Sequence, residues 1–186
     1  MISSFKKIQD QQWRKQFIRY WLLDPFWGGL DYLCCYLFRL LPLNIPCKIG
    51  AVLGPLAASW RFQKANQRAE NNLKILKPEL SAEQRRALLH KMWQNIGQTM
   101  SEYSIADLLW QDGRVEVKNS HYVKECQAKG LPIIFVTAHF ANWEVIGGAC
   151  KENNIPLLSL YQPQNNRFVT QIAQVSRARI GLKTVA

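Results

Sequence analysis

Paired cysteines, acidic residues and long apolar runs are what this sequence has little of. Its five cysteines, Cys34, Cys35, Cys47, Cys126 and Cys150, form neither an even set nor a CxxC pair. A disulfide framework and a zinc site are therefore not indicated, and a reducing compartment fits best. Adjacent Cys34 and Cys35, in an apolar run, read as small buried hydrophobes. Acidic residues number 13 against 24 Lys and Arg, leaving a formal charge of +11. That balance favours acidic partners such as phosphates, anionic membranes or acidic carrier proteins. No internal repeat, low-complexity tract or flexible linker interrupts the chain. No RNP-like or helix-turn-helix motif is found, and the aromatics cluster in apolar runs, so no nucleic-acid partner is expected. What is present is a chain of 186 residues, 48% hydrophobic and 20% charged, which has the size and composition of one packed domain.

The first twenty residues carry Lys6, Lys7, Arg14, Lys15 and Arg19 against Asp10, ahead of Trp21, Leu22, Leu23, Phe26, Trp27, Leu30, Leu33 and Leu37. A secretory signal would have a clean apolar core and a small-residue cleavage site, whereas Asp24, Pro25, Asp31 and Arg39 interrupt this stretch. Its uninterrupted run is also shorter than the roughly 20 residues that cross a bilayer. Two readings stay open: a helix lying in the membrane interface, where Trp and Tyr rings suit the headgroup level, or a buried helix. The cationic flank favours an anionic surface and a cytoplasmic N-terminus.

Pro42, Pro46, Gly50, Gly54 and Pro55 punctuate the next region, and Arg61, Lys64, Arg68, Lys74 and Lys77 then recur on a predicted helix that Pro78 closes. That basic stripe is either a solvated face or a contact for anionic lipid. Ser81 with Gln84 predicts a capping box opening another helix. Leu88, Leu89, Met92, Trp93, Ile96, Met100 and Tyr103 recur along it at three- and four-residue steps, which predicts a core-facing stripe.

Downstream, Val115 and Val117 predict a short strand and Tyr122 to Lys129 a helix stopped at Gly130. Ile133 to Val136 predicts a strand buried on both faces of a parallel sheet. A helix ending near Asn153 and Asn154, a strand over 155–160, a helix through Val169 to Ile180 and a strand opening at Leu182 to Ala186 complete a β-α-β-α order. The expected class is α/β: a helical, membrane-associated N-terminal part, then a mainly parallel sheet with flanking helices, incomplete at the C-terminus. An unfinished sheet would leave an unpaired edge.

His139 follows the predicted strand Ile133 to Val136, at the carboxyl end where ligands collect in open α/β sheets. An imidazole there can accept a proton from an alcohol, and Glu144, five residues on, is placed to fold back and orient it. The competing reading makes His139 a surface residue and Glu144 a complement to a helix dipole. Asn142 suits a helix cap or a substrate contact, and Arg177 either charge stabilisation or a solvated helix face.

The run His139, Phe140, Ala141, Asn142, Trp143, Glu144 resembles the H-x4-[DE] signature of bacterial lipid A late acyltransferases, in the lysophospholipid acyltransferase superfamily. Arg68 to Leu73 with Pro78 to Ser81 is similar to that family's R-x3-NL segment and helix start. Tyr161, Gln162, Pro163, Asn165, Asn166 resembles its Y-R-P-x-[DN]-N block, with Gln162 in place of the basic residue, and Arg177 to Gly181 resembles its R-x3-G element. The resemblance covers nearly the whole chain, while a later block bearing an acidic residue has no counterpart here.

The resemblance implies a glycerolipid-acyltransferase-like fold. It implies transfer of a fatty acyl group from an acyl-carrier-protein or acyl-CoA thioester to a hydroxyl of a lipid A precursor at the cytoplasmic face of the inner membrane. His139 and Glu144 would be catalytic, and Arg177, Asn142 and Tyr161 would contact substrate. No metal or bound cofactor is called for. Residues 1–60 would be the membrane-associated segment and 61–186 the first portion of the acyltransferase domain. Hydrolysis of the donor by the same His and Glu, and a non-catalytic, membrane-associated truncated fragment, are the alternatives.

Overall fold

The structure, a computed structural model, describes the backbone of residues 2–185 and the side chains of 10–185. The side chains of Lys6 and Lys7 in the basic flank, and Ala186 of the last predicted strand, lie outside what is described. Helix α1 (Ile2–Ile18) passes through a π-helical segment (Arg19–Leu23) into α2 (Asp24–Leu40), and α3 (Asn44–Trp60), α4 (Gln63–Leu76) and α5 (Ala82–Glu102) follow. Then come a 3-10 turn (Tyr103–Ile105), α6 (Ala106–Gln111), α7 (His121–Ala128), a second 3-10 turn (Trp143–Val145) and α8 (Ile146–Glu152). Strand β1 (Leu158–Leu160), α9 (Arg167–Arg179) and β2 (Lys183–Val185) end the described chain. It is a mostly helical α/β chain with one small parallel sheet, Leu158 opposite Lys183 and Leu160 opposite Val185.

The prolines and glycines predicted to punctuate residues 42–55 instead lie mostly within α3. Gly50 and Gly54 face Gly97 of α5, and a Cβ at Gly54 would run into the Trp93 carbonyl oxygen. Residues without side chains one turn apart let two backbones approach closely. This α3–α5 contact is the most extensive between helices in the described chain. It also explains which part of the predicted stripe on α5 is used. Leu89 and Trp93 are buried, whereas Leu88, Ile96 and Met100 are exposed. The capping box forms as read: the Gln84 N–H donates to Ser81 Oγ at 3.1 Å, and the Ser81 N–H donates to Gln84 Oε1 at 2.7 Å.

Several contacts tie the N-terminal helices to the later chain. Arg39 Nη1 and Nη2 grip the Asp107 carboxylate at 2.7 and 2.9 Å, and the Gly28 backbone lies directly against the Phe168 side chain. Asn166 caps α9 by accepting from the Phe168 N–H at 2.9 Å, while its Nδ2 donates to the Asp24 carbonyl at 3.1 Å. A small core of Ala106, Ile180 and Leu182, with Leu157 against it, lies where α6, α9 and the sheet meet.

Two predicted strands are corrected. Val115 to Val117 and Ile133 to Val136 form no ladder. A parallel strand needs a hydrogen-bonded neighbour, and none flanks either segment among the described residues. Ile133 and Phe135 are half-buried while Ile134 and Val136 are 88% and 91% exposed, so the alternation of a strand survives without its pairing. Cys34 is exposed and Cys35 only half-buried, because adjacent helical residues point in different directions.

No described helix is long and apolar enough to cross a membrane. From α1 through the π-helical segment into α2, Trp13, Phe17, Trp21, Leu22, Phe26, Trp27 and Tyr36 are nevertheless exposed.

Candidate active site

A buried carboxylate organises the site. The short turn after Asn142 exists because the Asn142 side-chain oxygen accepts from the Glu144 N–H at 3.2 Å, an Asx-type cap that aims Glu144 inward. Glu144 is only 4% exposed. Arg177, in the last turn of α9, meets it twice: Nε donates to Oε2 at 2.9 Å and Nη2 to Oε1 at 2.7 Å. The Tyr103 hydroxyl donates to Oε1 as well, and Trp143 Nε1 reaches the same oxygen at 3.1 Å. Arg177 Nη2 also lies 2.9 Å from the Tyr103 hydroxyl oxygen, closing a three-residue ring. Gly181, at φ 81°, takes the left-handed conformation that ends α9 just beyond.

These contacts set the charge states. Burial alone would raise the Glu144 carboxyl, but the Arg177 hydrogen bonds, with those from Tyr103 and Trp143, outweigh it and hold the carboxyl below its ordinary range. The bond to Glu144 pushes Arg177 upward. Burial, then the donation to Glu144, pushes the Tyr103 phenol well above its ordinary value. Glu144 is thus an anion, Arg177 a cation and Tyr103 a neutral donor.

Of the residues expected at the site, the structure brings together Glu144, Arg177, Asn142 and Tyr161. Tyr161 follows β1, accepts from Gln174 Nε2 at 2.6 Å, and carries the Arg177 guanidinium 5.4 Å from its ring centroid. His139 stands apart on the exposed loop between residue 136 and the Asn142 turn. Its ring packs edge-on against Trp143, centroids 4.4 Å apart, and it is not among the described partners of the Glu144 carboxylate. Ala141, at φ 45°, puts a left-handed residue between them. Trp143 thus links the two, its ring against the imidazole and its Nε1 on the carboxylate.

Three participants were missed from sequence. Tyr103 looked like the last apolar position of α5, yet a phenol carries a polar end that burial forces to find a partner. Trp143 sat unremarked inside the H-x4-E run. Glu102, whose Oε2 accepts from Asn142 Nδ2 at 3.1 Å, had no sequence signal at all.

A sequence model of the family described as bacterial lipid A biosynthesis acyltransferase matches residues 8–186. The lipid A biosynthesis palmitoleoyltransferase of Escherichia coli strain K12 is 28% identical over 168 residues, 87% of this chain and 51% of that protein. The lipid A biosynthesis lauroyltransferase of the same strain is 29% identical over 166 residues, 87% of this chain and 51% of its own length. A lipid A biosynthesis acyltransferase of Haemophilus influenzae is 25% identical over 169 residues, covering 88% and 52%. The chain thus spans about half the length of the curated relatives it matches. No solved structure matches it.

Proposed function

The chain belongs to the bacterial lipid A biosynthesis acyltransferase family, and on that premise we propose that it moves a fatty acyl group from a carrier thioester to a hydroxyl of a lipid A precursor or related glycolipid. The donor is acyl carrier protein or acyl-CoA, and the reaction takes place at the cytoplasmic face of the inner membrane. Residues 1–60 serve membrane association and 61–186 carry the chemistry. The observation that carries the reading is the Glu144–Arg177–Tyr103 ring, with the exposed imidazole of His139 packed on the neighbouring Trp143, inside the stretch that matches the family.

His139 accepts the proton of the acceptor hydroxyl as its oxygen attacks the thioester carbonyl. The tetrahedral intermediate collapses, the C–S bond breaks, and the departing thiolate takes the proton back from the imidazolium. An ester forms, a thioester is lost, and no electrons are exchanged. Glu144 supports this step by holding the imidazole tautomer and stabilising the imidazolium once the loop around Ala141 folds His139 inward past Trp143. Arg177 stabilises the oxyanion or a substrate phosphate from its fixed seat on Glu144. Tyr161 and Asn142 line the approach.

The exposed aromatics of α1 and α2 support membrane association. Burying such rings at the headgroup level removes apolar surface from water, and Arg14, Lys15 and Arg19 add attraction to anionic lipid. A second reading is a membrane-associated chain with no turnover of its own. The bare apolar side chains of Ile134 and Val136 next to the His139 loop favour it, because a working site needs a covered one. Incubating the full chain in vesicles with labelled acyl carrier protein and a lipid A precursor tests both. Labelled glycolipid supports transfer, free fatty acid means hydrolysis, and unchanged donor favours the second reading.

A further inference from the structure

The donors to Glu144 are shared unequally between its two carboxylate oxygens. Oε1 receives three: the Tyr103 hydroxyl, Trp143 Nε1 at 3.1 Å and Arg177 Nη2 at 2.7 Å. Oε2 receives Arg177 Nε at 2.9 Å and, among the described residues, nothing else. A carboxylate oxygen offers about two lone pairs, so Oε1 is full and the free one belongs to Oε2. We infer that Tyr103 is a positioning residue: by occupying Oε1 it leaves Oε2 as the oxygen that accepts the His139 N–H when the imidazole reaches Glu144.

Trp143 cannot serve in its place. Its ring lies against His139, centroids 4.4 Å apart, so the side chain that gives way as the imidazole moves inward is the one whose Nε1 sits on Oε1. With Trp143 displaced, Tyr103 and Arg177 still fill Oε1. Without the Tyr103 hydroxyl, that displacement would free a lone pair on Oε1, and the imidazole would meet two open oxygens in place of one. A base that settles in two poses spends part of its time out of line with the hydroxyl it must deprotonate.

Tyr103 is itself held firmly. It opens the 3-10 turn after α5, and consecutive residues of α9 secure both of its ends: the Ser176 hydroxyl donates to its carbonyl, and Arg177 Nη2 donates to its hydroxyl at 2.9 Å. From α2, Arg39 Nη1 donates to the next carbonyl, that of Ser104, at 2.8 Å, and Ile105 beyond it is fully buried. Burial, then donation to Glu144, pushes the phenol well above its ordinary value. It therefore stays a neutral donor and neither gives nor takes the reacting proton.

This role rests on the acyltransferase reading, and a double-mutant cycle with Glu144 tests it. Acyl transfer in vesicles is measured for the full chain, Tyr103→Phe, Glu144→Gln and the double variant, each checked for fold by circular dichroism. Tyr103→Phe keeps the ring and removes only the hydroxyl. It should lower kcat and the single-turnover rate roughly ten- to a hundredfold, the scale of a small misplacement of a reacting group, and leave both KM values unchanged. In the Glu144→Gln background the same change should have no further effect, because a residue that acts through Glu144 then has nothing to position. Ser176→Ala keeps the hydroxyl but frees the backbone that carries it. It should show a smaller loss with the same dependence on Glu144, and it decides the matter if Tyr103→Phe does not fold. Transfer by these variants at the parent rate, a loss confined to KM, or an equal loss with and without Glu144 would overturn the inference and leave the acyltransferase reading standing. A parent chain that forms no labelled glycolipid overturns that reading, and the role of Tyr103 falls with it.

Discussion

Arg177 and Glu144 are joined by two near-parallel hydrogen bonds, 2.9 Å from Nε and 2.7 Å from Nη2, with 16% of the arginine side chain and 4% of the glutamate side chain exposed. A two-pronged guanidinium–carboxylate pair fixes orientation as well as charge. It joins the end of α9 to the turn that follows the His139 loop, so anything that loosens it moves both walls of the candidate site.

Arg177→Met should destabilise the fold by about 3–5 kcal/mol, because it strands a buried carboxylate. Glu144→Gln with Arg177→Met together should recover part of that loss, since the uncompensated charge is gone. Denaturant unfolding of the single and double variants checks this. Equal stability of Arg177→Met and the parent would contradict the geometry.

The same network fixes the direction of the pH dependence. The Glu144 carboxyl is held below its ordinary 4.5 when folded, burial notwithstanding, so its contribution is present above that value and is lost as pH falls through the lower folded value. Tyr103 is shifted the other way from its ordinary 10.0, first by burial and then by donation to Glu144. Its contribution is full below that value and is lost as pH rises through the higher folded value. Stability measured against pH should therefore fall at both extremes. Tyr103→Phe should flatten the alkaline side, and Arg177→Met the acid side.

Gly54→Ala and Gly97→Ala should each cost about 1–3 kcal/mol, the range for overpacking a tight contact. At Gly54 the new methyl meets the Trp93 carbonyl, and at Gly97 it meets the Gly50 carbonyl, backbone atoms that cannot swing aside. Gly29→Ala, where a Cβ meets nothing within 4 Å, is the matched control and should leave the melting temperature unchanged or slightly raised.

Flotation with vesicles tests the N-terminal helices. The chain should bind anionic vesicles more tightly than neutral ones, and added salt should weaken that binding. Trp21→Ala with Phe26→Ala should reduce binding to both kinds of vesicle, whereas Arg14→Glu with Lys15→Glu should reduce only the anionic preference. Binding indifferent to all four changes would contradict an interfacial role for these helices.

Local features of this fold are legible in the sequence and long-range ones are not. The Ser81–Gln84 capping box, the helix ending before Pro78, α7 and the β1–α9–β2 order all depend on neighbours within a turn or two. The α3–α5 seam was invisible, because Gly50, Gly54 and Gly97 read as breakers until two backbones are seen to meet there. Ile133 to Val136 had a strand's composition, but composition supplies no pairing partner. At the site, Glu144 and Arg177 each stand out in the sequence, 33 residues apart, but nothing in it joins them. Tyr103 was hidden in an apolar period because its hydroxyl matters only once it is buried.

Single-turnover acyl transfer by His139→Ala, with the fold checked by circular dichroism, tests the central claim most directly. A general base contributes about a hundred- to ten-thousandfold, and a loss in that range with the fold intact is the expected result. Transfer by the variant at the parent rate would contradict the account.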